Sequence, residues 1–301
     1  MTEPSRPVIV TSRNGAGIEL VTFLIVLFFS YYWHGLGVTV GYHRLLSHRS
    51  FRCPKIVEYF WVLGGYLALE GSPAWWAAVH RAHHKHADTP DDPHSPRDGY
   101  KHSYFKWMFK QDPHIIDVPT LSPDILRDPV YRILDTGDDA LLLVANIGYR
   151  VALYFLFGWQ VALASLVAGL MILQLPLILN LFCHIPRLGY KNFDTVNDAV
   201  NVWWVAVIAG GEGWHNNHHA FPSSARHGLA KNEFDLTWTI IQIQRFLGLS
   251  SHAYLPSADA IVDSPEALLP FSPLANNAEI LKARAKRRAK GHKKLLVGLT
   301  N

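Results

Sequence analysis

The sequence predicts an all-α integral membrane protein with about three transmembrane helices and a cytoplasmic helical cap that holds a histidine-rich metal site. Three apolar runs are long enough to cross a bilayer. Charged residues make up only 17% of the 301 residues, compared with roughly 25% in soluble domains. Clustered histidines follow these runs rather than lying within them. We expect one domain over residues 1–301.

The first apolar run covers residues 20–40, roughly 30 Å of helix. It places His43 and His48 immediately beyond one membrane surface. Residues 1–17 are polar and rich in small residues, so we expect a flexible N-terminus. The sequence does not begin with a charged segment followed by a short apolar segment and a cleavage site. We therefore expect no removable signal peptide.

The next apolar stretch, residues 56–79, contains two glutamates and a Gly64-Gly65 pair. A membrane crossing here would put His43 and His80 on opposite faces, where they could not share a site. We therefore expect an interfacial or partly buried amphipathic helix. Residues 80–138 are polar and rich in Asp and Pro, and we expect them to be soluble.

Residues 140–157 and 161–182 form two further apolar runs with only Gly-Trp-Gln between them. So short a connection predicts an antiparallel hairpin that returns Asn180 and His184 to the side of the other histidines. Arg150 lies inside the first of these runs, where charge is rare and usually paired. A short apolar helix is expected at 200–211 and an amphipathic helix at 235–249.

The histidines form repeated motifs. GEGWHNNHH ends in His215, His218 and His219, and the same H-x-x-H-H spacing recurs in HRAHH. Chance would produce this spacing roughly 0.05 times in such a chain. The histidines of HRAHH, the second motif in chain order, are His80, His83 and His84. The first motif, HRLLSH, contains His43 and His48. On a helix, this spacing can present three imidazoles toward one pair of metal ions.

Eight imidazoles from three motifs, with His184, exceed the three or four that a single zinc ion needs. The surplus favours two metal ions, and an imidazole environment facing a reducing cytosol favours iron. Neutral imidazoles also require carboxylates on their outer ring nitrogens. Proximity in sequence nominates Glu212, Asp198, Asp88 and Asp91.

The motifs HRLLSH, HRAHHK, NLFCH and GEGWHNNHHAFP, in this order, resemble the membrane fatty-acid desaturase family. The resemblance covers about residues 20–250 and is strongest to the stearoyl-CoA (delta-9) branch, especially its bacterial and plant-type members. It implies a di-iron centre that uses O2 and two external electrons to form a cis double bond in a long-chain acyl substrate. The implied metal ligands are His43, His48, His80, His83, His84, His184, His215, His218 and His219, with Asn180 acting through a water.

The resemblance also implies an apolar tunnel for the acyl chain, with Trp76 in its wall; an interfacial anchor is the alternative role for Trp76. Pro176-Leu177 replaces a Thr-Trp pair of animal relatives, which leaves double-bond position and chain length open. We expect a separate electron-donor protein of the ferredoxin or cytochrome type, a coenzyme A thioester or lipid-linked substrate, membrane lipids as surroundings, and no nucleic acid.

Eight histidines lie outside these positions, and we expect surface or supporting roles for them: His34, His86, His94, His102, His114, His227, His252 and His292. Of these eight, His94 and His227 are the most open to a different role. The two cysteines, Cys53 and Cys183, are expected to be reduced and packed. The basic stretch 282–294 predicts lipid or acidic-partner docking, or simply a solvated tail.

Two alternative functions remain open at this point. A hydroxylase on the same scaffold would share every motif, because hydroxylation diverges only after the first hydrogen abstraction. A membrane metal transporter would instead need ionisable residues facing one another inside the spans. The histidine motifs lie beyond the span ends, which favours an enzyme.

Overall fold

A computed structural model describes residues 13–136 and 139–262 of the chain. Within these residues the backbone is helical, and strand pairing is limited to isolated bridges. The α-helices are α1 Arg13–Leu36, α2 Lys55–Tyr66, α3 Pro73–His86, α4 Tyr100–Tyr104, α5 Val118–Leu121, α6 Pro129–Leu134, α7 Asp139–Phe157, α8 Trp159–Phe182, α9 Trp203–Ile208, α10 His215–Ala220, α11 Leu236–Phe246 and α12 Ala258–Val262. The predicted all-α class is confirmed.

Three helical stretches in the described part of the chain are long and apolar enough to cross a membrane: Gly17–Ser47, α7 and α8. This confirms the predicted number of spans. The first span is longer than expected, because α1 continues as a π-helix over Gly37–Ser47 and carries His43 in its final turns. Residues 13–17, expected to be flexible, are helical, since an established helix extends cheaply through adjoining residues.

The prediction for residues 56–79 was partly wrong, because this stretch forms two helices, α2 and α3, rather than one. The chain turns between them through Leu69 and Gly71, both at positive φ. Gly64 and Gly65 let α2 lie directly against the first span, since a Cβ on Gly37 would come within 2.3 Å of the Gly65 backbone nitrogen. Neither helix reaches the length of a span.

The hairpin prediction is confirmed, with α7 and α8 joined at Gly158. Gly158 has φ of +93°, a conformation that glycine adopts without steric cost. α8 packs against both α7 and α1, so the three spans form one bundle. The partner of Arg150, not identifiable from sequence, is mainly the backbone: its guanidinium donates to Leu67 O at the end of α2, and also to Asn146 Oδ1.

Two of the three histidine motifs lie on helices outside the spans, α3 and α10, and the first lies at the end of the first span. The short apolar helix and the amphipathic helix expected after the third span are α9 and α11, somewhat shorter than predicted. Asp235 caps α11, because its Oδ1 accepts from the Trp238 backbone N–H at 2.8 Å. Cys53 and Cys183 are free, as expected. The basic stretch 282–294, with His292, lies outside the described residues.

Candidate metal centre

Five histidines from three separate segments form the first of two groups. Their members are His43, His48, His80, His84 and His218, each offering a ring nitrogen within 4.8 Å of the others. Inside the group, Nε2 of His48 lies 2.7 Å from Nε2 of His80, and Nε2 of His84 lies 2.8 Å from Nε2 of His218. The Nε2 atoms therefore converge on one shared space.

Four further histidines form a second group: His83, His184, His215 and His219, again with ring nitrogens within 4.8 Å of one another. Nε2 of His215 lies 3.0 Å from Nε2 of His184 and 3.1 Å from Nε2 of His219. Nε2 of His83 is buried and has no hydrogen-bond partner among the described residues. A buried nitrogen without a partner is costly, and a bound cation would satisfy it.

Each H-x-x-H-H motif contributes to both groups. On α3, His80 and His84 are one helical turn apart and belong to the five-histidine group, whereas His83 points to the other. On α10 the division is reversed, with His218 in the first group and His215 and His219 in the second. The two helices thus hold the two groups side by side, as the spacing predicted for a pair of metal ions.

Three carboxylates hold the outer ring nitrogens, and two of them were nominated from sequence. His43 Nδ1 lies 2.6 Å from Glu212, and His184 Nδ1 lies 2.8 Å from Asp88. A ring that donates from Nδ1 has its lone pair on Nε2, the form that binds a metal ion. Glu212 and Asp88 therefore contact site histidines as expected.

The other two nominations, Asp198 and Asp91, were wrong. Asp198 pairs with Arg97 at 2.8 Å, and Asp91 is exposed, 3.9 Å from His86, which belongs to neither group. The residue that sequence reasoning missed is Asp92, whose Oδ1 lies 2.9 Å from His83 Nδ1. Its position in the same Asp- and Pro-rich turn was the available signal, but only the fold shows which carboxylate of the turn points inward.

Burial sets the protonation of the site. It lowers the pKa of six imidazoles well below 6.5, and neighbouring imidazoles lower each further: His48, His80, His84, His215, His218 and His219. Burial alone would raise the pKa of Glu212, but Arg44, His43 and His227 hold it well below its ordinary value. Neutral imidazoles surrounded by ionised carboxylates present electron pairs and negative charge, which suits multivalent cations. The residues present therefore fit a pair of bound metal ions.

His94 and His227 adjoin the groups as supporting residues. His227 Nδ1 lies 3.1 Å from Glu212, and its ring centroid is 4.4 Å from that of His218. His94 stacks on His83 at 4.4 Å. Both are buried, which sets them apart from the exposed or half-buried His86, His102, His114 and His252.

A narrow cavity of about 60 Å³ reaches from the histidine groups toward the spans. Asn180 and Trp76 border it, together with His80 and His215. Much of the rest of its wall is apolar, with Val38, Ile172, Leu175 and Leu179. Trp76 stacks on His80 at 5.2 Å, and its Nε1 donates to Glu70 Oε2 at 3.2 Å. Trp76 therefore borders the site rather than only the membrane surface.

Comparisons with known proteins identify the family and relatives that the chain resembles. The family model described as fatty acid desaturase matches residues 19–234. An sn-1 stearoyl-lipid 9-desaturase of Anabaena variabilis is 41% identical over 227 residues, 74% of this chain and 81% of the relative. An sn-2 palmitoyl-lipid 9-desaturase of Nostoc is 38% identical, covering 75% of this chain and 79% of the relative. An acyl-CoA 5-desaturase of Anemone leveillei is 38% identical, covering 73% and 68%.

Proposed function

The chain belongs to the fatty acid desaturase family, and we propose that it is an O2-dependent enzyme that introduces a cis double bond at the delta-9 position of long-chain saturated acyl chains, using two iron ions and externally supplied electrons. It is an acyl desaturase, an oxidoreductase, by its family and relatives. Family membership also favours an enzyme over the metal-transport alternative.

The observation that carries the proposal is the division of nine histidines into a group of five and a group of four. One ion cannot contact both sets, whereas two ions can each take one. We assign His43, His48, His80, His84 and His218 to the first iron, and His83, His184, His215 and His219 to the second. Asn180, at the edge of the same cavity as His215, would complete the second site through a water.

The bound irons would supply activation of O2 and removal of hydrogen from two adjacent methylenes. The overall reaction converts a CH2–CH2 unit, O2, two electrons and two protons into a cis CH=CH unit and two waters. No other protein group needs to act as acid or base, so we assign no catalytic residue beyond the ligands. The protein's own part is to hold the imidazoles, place the chain and exclude water.

The position of the cavity supports these separate roles for the irons and the protein. Its apolar wall would align the methylenes beneath the histidines, and its narrow bore would exclude bulk water. We assign Trp76 to the wall, where its ring covers His80.

The three spans and the family support an integral membrane protein. We propose that the catalytic end faces the cytoplasm, because Lys and Arg are dense around the histidine motifs. The electrons would come from a separate ferredoxin or cytochrome. The relatives include lipid desaturases and an acyl-CoA desaturase, so we leave the acyl carrier open between lipid and coenzyme A. We treat residues 1–301 as one functional domain.

Fatty-acid profiling tests the proposal. Cells that express the intact chain should contain a new cis-monoene, mapped by mass spectrometry to the 9 position, and cells that express His215→Ala should not. The exposed-histidine variant His114→Ala is the matched control and should behave as the intact chain does. A hydroxylated acyl chain as the sole product would instead establish the hydroxylase, and no acyl product from an iron-loaded protein with a working donor would overturn both.

A further inference from the structure

Residues 100–110, YKHSYFKWMFK, form a segment that we call the aromatic–lysine segment. It contains α4 and the short 3-10 helix that follows. Three of its aromatic side chains are exposed: Tyr100 by 52%, Phe105 by 38% and Phe109 by 83%. Three exposed lysines alternate with them, at positions 101, 106 and 110, and the segment contains no acid. Exposed aromatics on a folded surface require an explanation.

The exposure does not result from a lack of core. The other face of the segment is firmly packed, with Trp107 only 5% exposed and stacked parallel to Trp75 at 6.1 Å. Trp107 also belongs to a buried cluster with Val79, Ile116 and Leu177. The segment is thus held in one orientation, with its aromatic and lysine side chains directed outward.

The segment also lies against a membrane span. The hydroxyl of Tyr104 donates to Gln174 Oε1 at 2.7 Å, and Gln174 is eight residues before the end of α8 at Phe182. Eight residues of helix correspond to about 12 Å. Tyr104 therefore meets α8 about 12 Å from its end, which places the segment beside the membrane-spanning bundle.

We propose that the aromatic–lysine segment docks onto the anionic headgroups of the bilayer that holds the spans. Tyrosine favours the lipid–water boundary, phenylalanines beside lysines are typical of segments that lie in that boundary, and lysines beside a span are attracted to anionic lipid. None of the three lysines pairs with a carboxylate in the part of the chain that the structure describes. An acidic electron donor could also contact these side chains, but the contact of Tyr104 with α8 places the segment beside a span, so lipid is the occupant that both charge and position fit.

A fluorescent probe at position 109 tests the proposal. Phe109→Cys would be labelled with an environment-sensitive dye in a Cys53→Ser background, because the remaining Cys183 is fully buried. The matched control is Val196→Cys, since Val196 is fully exposed on a turn outside the segment. Each protein would be placed in nanodiscs of neutral phosphatidylcholine, with or without anionic phosphatidylglycerol, containing lipids with nitroxides near the headgroup.

The nitroxides should quench the probe at 109 but not at 196, and quenching at 109 should be roughly twofold greater with anionic lipid. Replacing all three lysines with Gln should abolish that dependence on anionic lipid while leaving the iron content unchanged. A probe at 109 that stays water-exposed in both lipids would overturn the proposal. A probe unaffected by lipid but shielded by an acidic ferredoxin would overturn it in favour of a donor interface.

Discussion

Nδ1 of His43 lies 2.6 Å from Oε2 of Glu212, and the other oxygen of that carboxylate accepts from Arg44 at 2.8 Å. Arg44 is completely buried and also pairs with Asp235 at 3.0 Å. These contacts connect the first histidine motif to the third through a buried ion-pair network. Breaking such a network leaves charge without its partner inside the protein, so the contacts fix the orientation of the His43 ring.

The first prediction concerns Glu212. Glu212→Gln keeps the shape of the side chain but removes the negative charge that orients His43 and offsets the positive charge of the loaded site. Loss of such a partner typically weakens metal binding about 10–100-fold. Iron retained after dialysis against a chelator, measured by mass spectrometry, should fall accordingly.

Asp235→Asn is the matched control for Glu212→Gln, because it perturbs the same Arg44 without contacting a histidine of either group. It should retain more iron than Glu212→Gln. Equal loss of iron from both variants, with the fold intact by size-exclusion chromatography, would mean that the network acts on stability alone.

The second prediction compares two neighbouring acids. Asp92→Asn removes the charge that His83 Nδ1 contacts at 2.9 Å, whereas Asp91 is exposed and contacts neither histidine group. His83, His94 and backbone N–H groups hold the pKa of Asp92 well below its ordinary value despite its burial. Asp92→Asn should therefore lower iron content and activity, and Asp91→Asn should change neither. Equal effects would show that the turn acts through its fold, not through its contact with His83.

These two acids show how far sequence reasoning could reach. Motif spacing nominated the histidines of the three motifs, because spacing on a helix determines which side chains share a face, and the family resemblance added His184 to the expected ligands. It could not choose between Asp91 and Asp92, since adjacent residues in an irregular turn have no fixed direction. One partner of Arg150 was equally hidden, because Leu67 is 83 residues away and contributes only its carbonyl, whereas Asn146 lies one helical turn away. Long-range contacts to the backbone have no signature in side-chain pattern.

The third prediction concerns Trp76, whose ring borders the cavity and stacks on His80. Trp76→Ala should widen the cavity next to the site and shift the double-bond position or chain-length preference more than it lowers iron content. The measurement is the ratio of monoene isomers at matched iron loading. An unchanged ratio would make Trp76 an interfacial anchor, the role that the sequence alone left open.

Glu70 provides the fourth prediction, because it accepts from Trp76 Nε1 and burial raises its pKa well above 4.5. Because the pKa of Glu70 is higher in the folded protein than in the unfolded chain, the protonated carboxyl stabilises the fold. This stabilisation is complete below pH 4.5 and declines as the pH rises toward the folded-state pKa. Glu70→Gln has the shape of the protonated acid and does not titrate. The unfolding temperature of Glu70→Gln should therefore exceed that of the unmodified protein at pH 8 but match it near pH 4.5.

Comparing Glu70→Gln with Glu70→Ala separates the role of Glu70 in positioning Trp76 from its role in stability. Glu70→Gln retains an oxygen for the Trp76 N–H and should preserve the monoene ratio, whereas Glu70→Ala should change it in the direction of Trp76→Ala. A preserved ratio in Glu70→Ala would show that packing alone holds the indole. A lower unfolding temperature for Glu70→Gln at pH 8 would mean that the carboxylate is ionised in the folded protein.

The last prediction concerns Arg150 in the second span. Its guanidinium donates to the Leu67 carbonyl and to the Asn146 side chain, and it borders an otherwise mainly apolar cavity of about 450 Å³. Arg150→Leu would leave the carbonyl of the buried Leu67, at the end of α2, without this donor. Loss of the donor to a buried carbonyl typically lowers the free energy of unfolding by about 1–3 kcal/mol. We therefore expect a lower unfolding temperature in nanodiscs with the iron content at 20 °C unchanged, since no histidine of either group contacts Arg150.

Arg132→Leu is the control, because Arg132 is exposed on α6 and its loss should leave the unfolding temperature unchanged. The unfolding temperature of Arg150→Lys should lie between those of Arg150→Leu and Arg132→Leu. One ammonium group cannot reach both Leu67 and Asn146 with the geometry of a planar guanidinium. If Arg150→Leu were as stable as the unmodified protein, lipid or water would have to satisfy the Leu67 carbonyl. If it lost iron while remaining folded, α2 would be transmitting the change through its contact with the first span to His43, and Arg150 would be a positioning residue of the metal site.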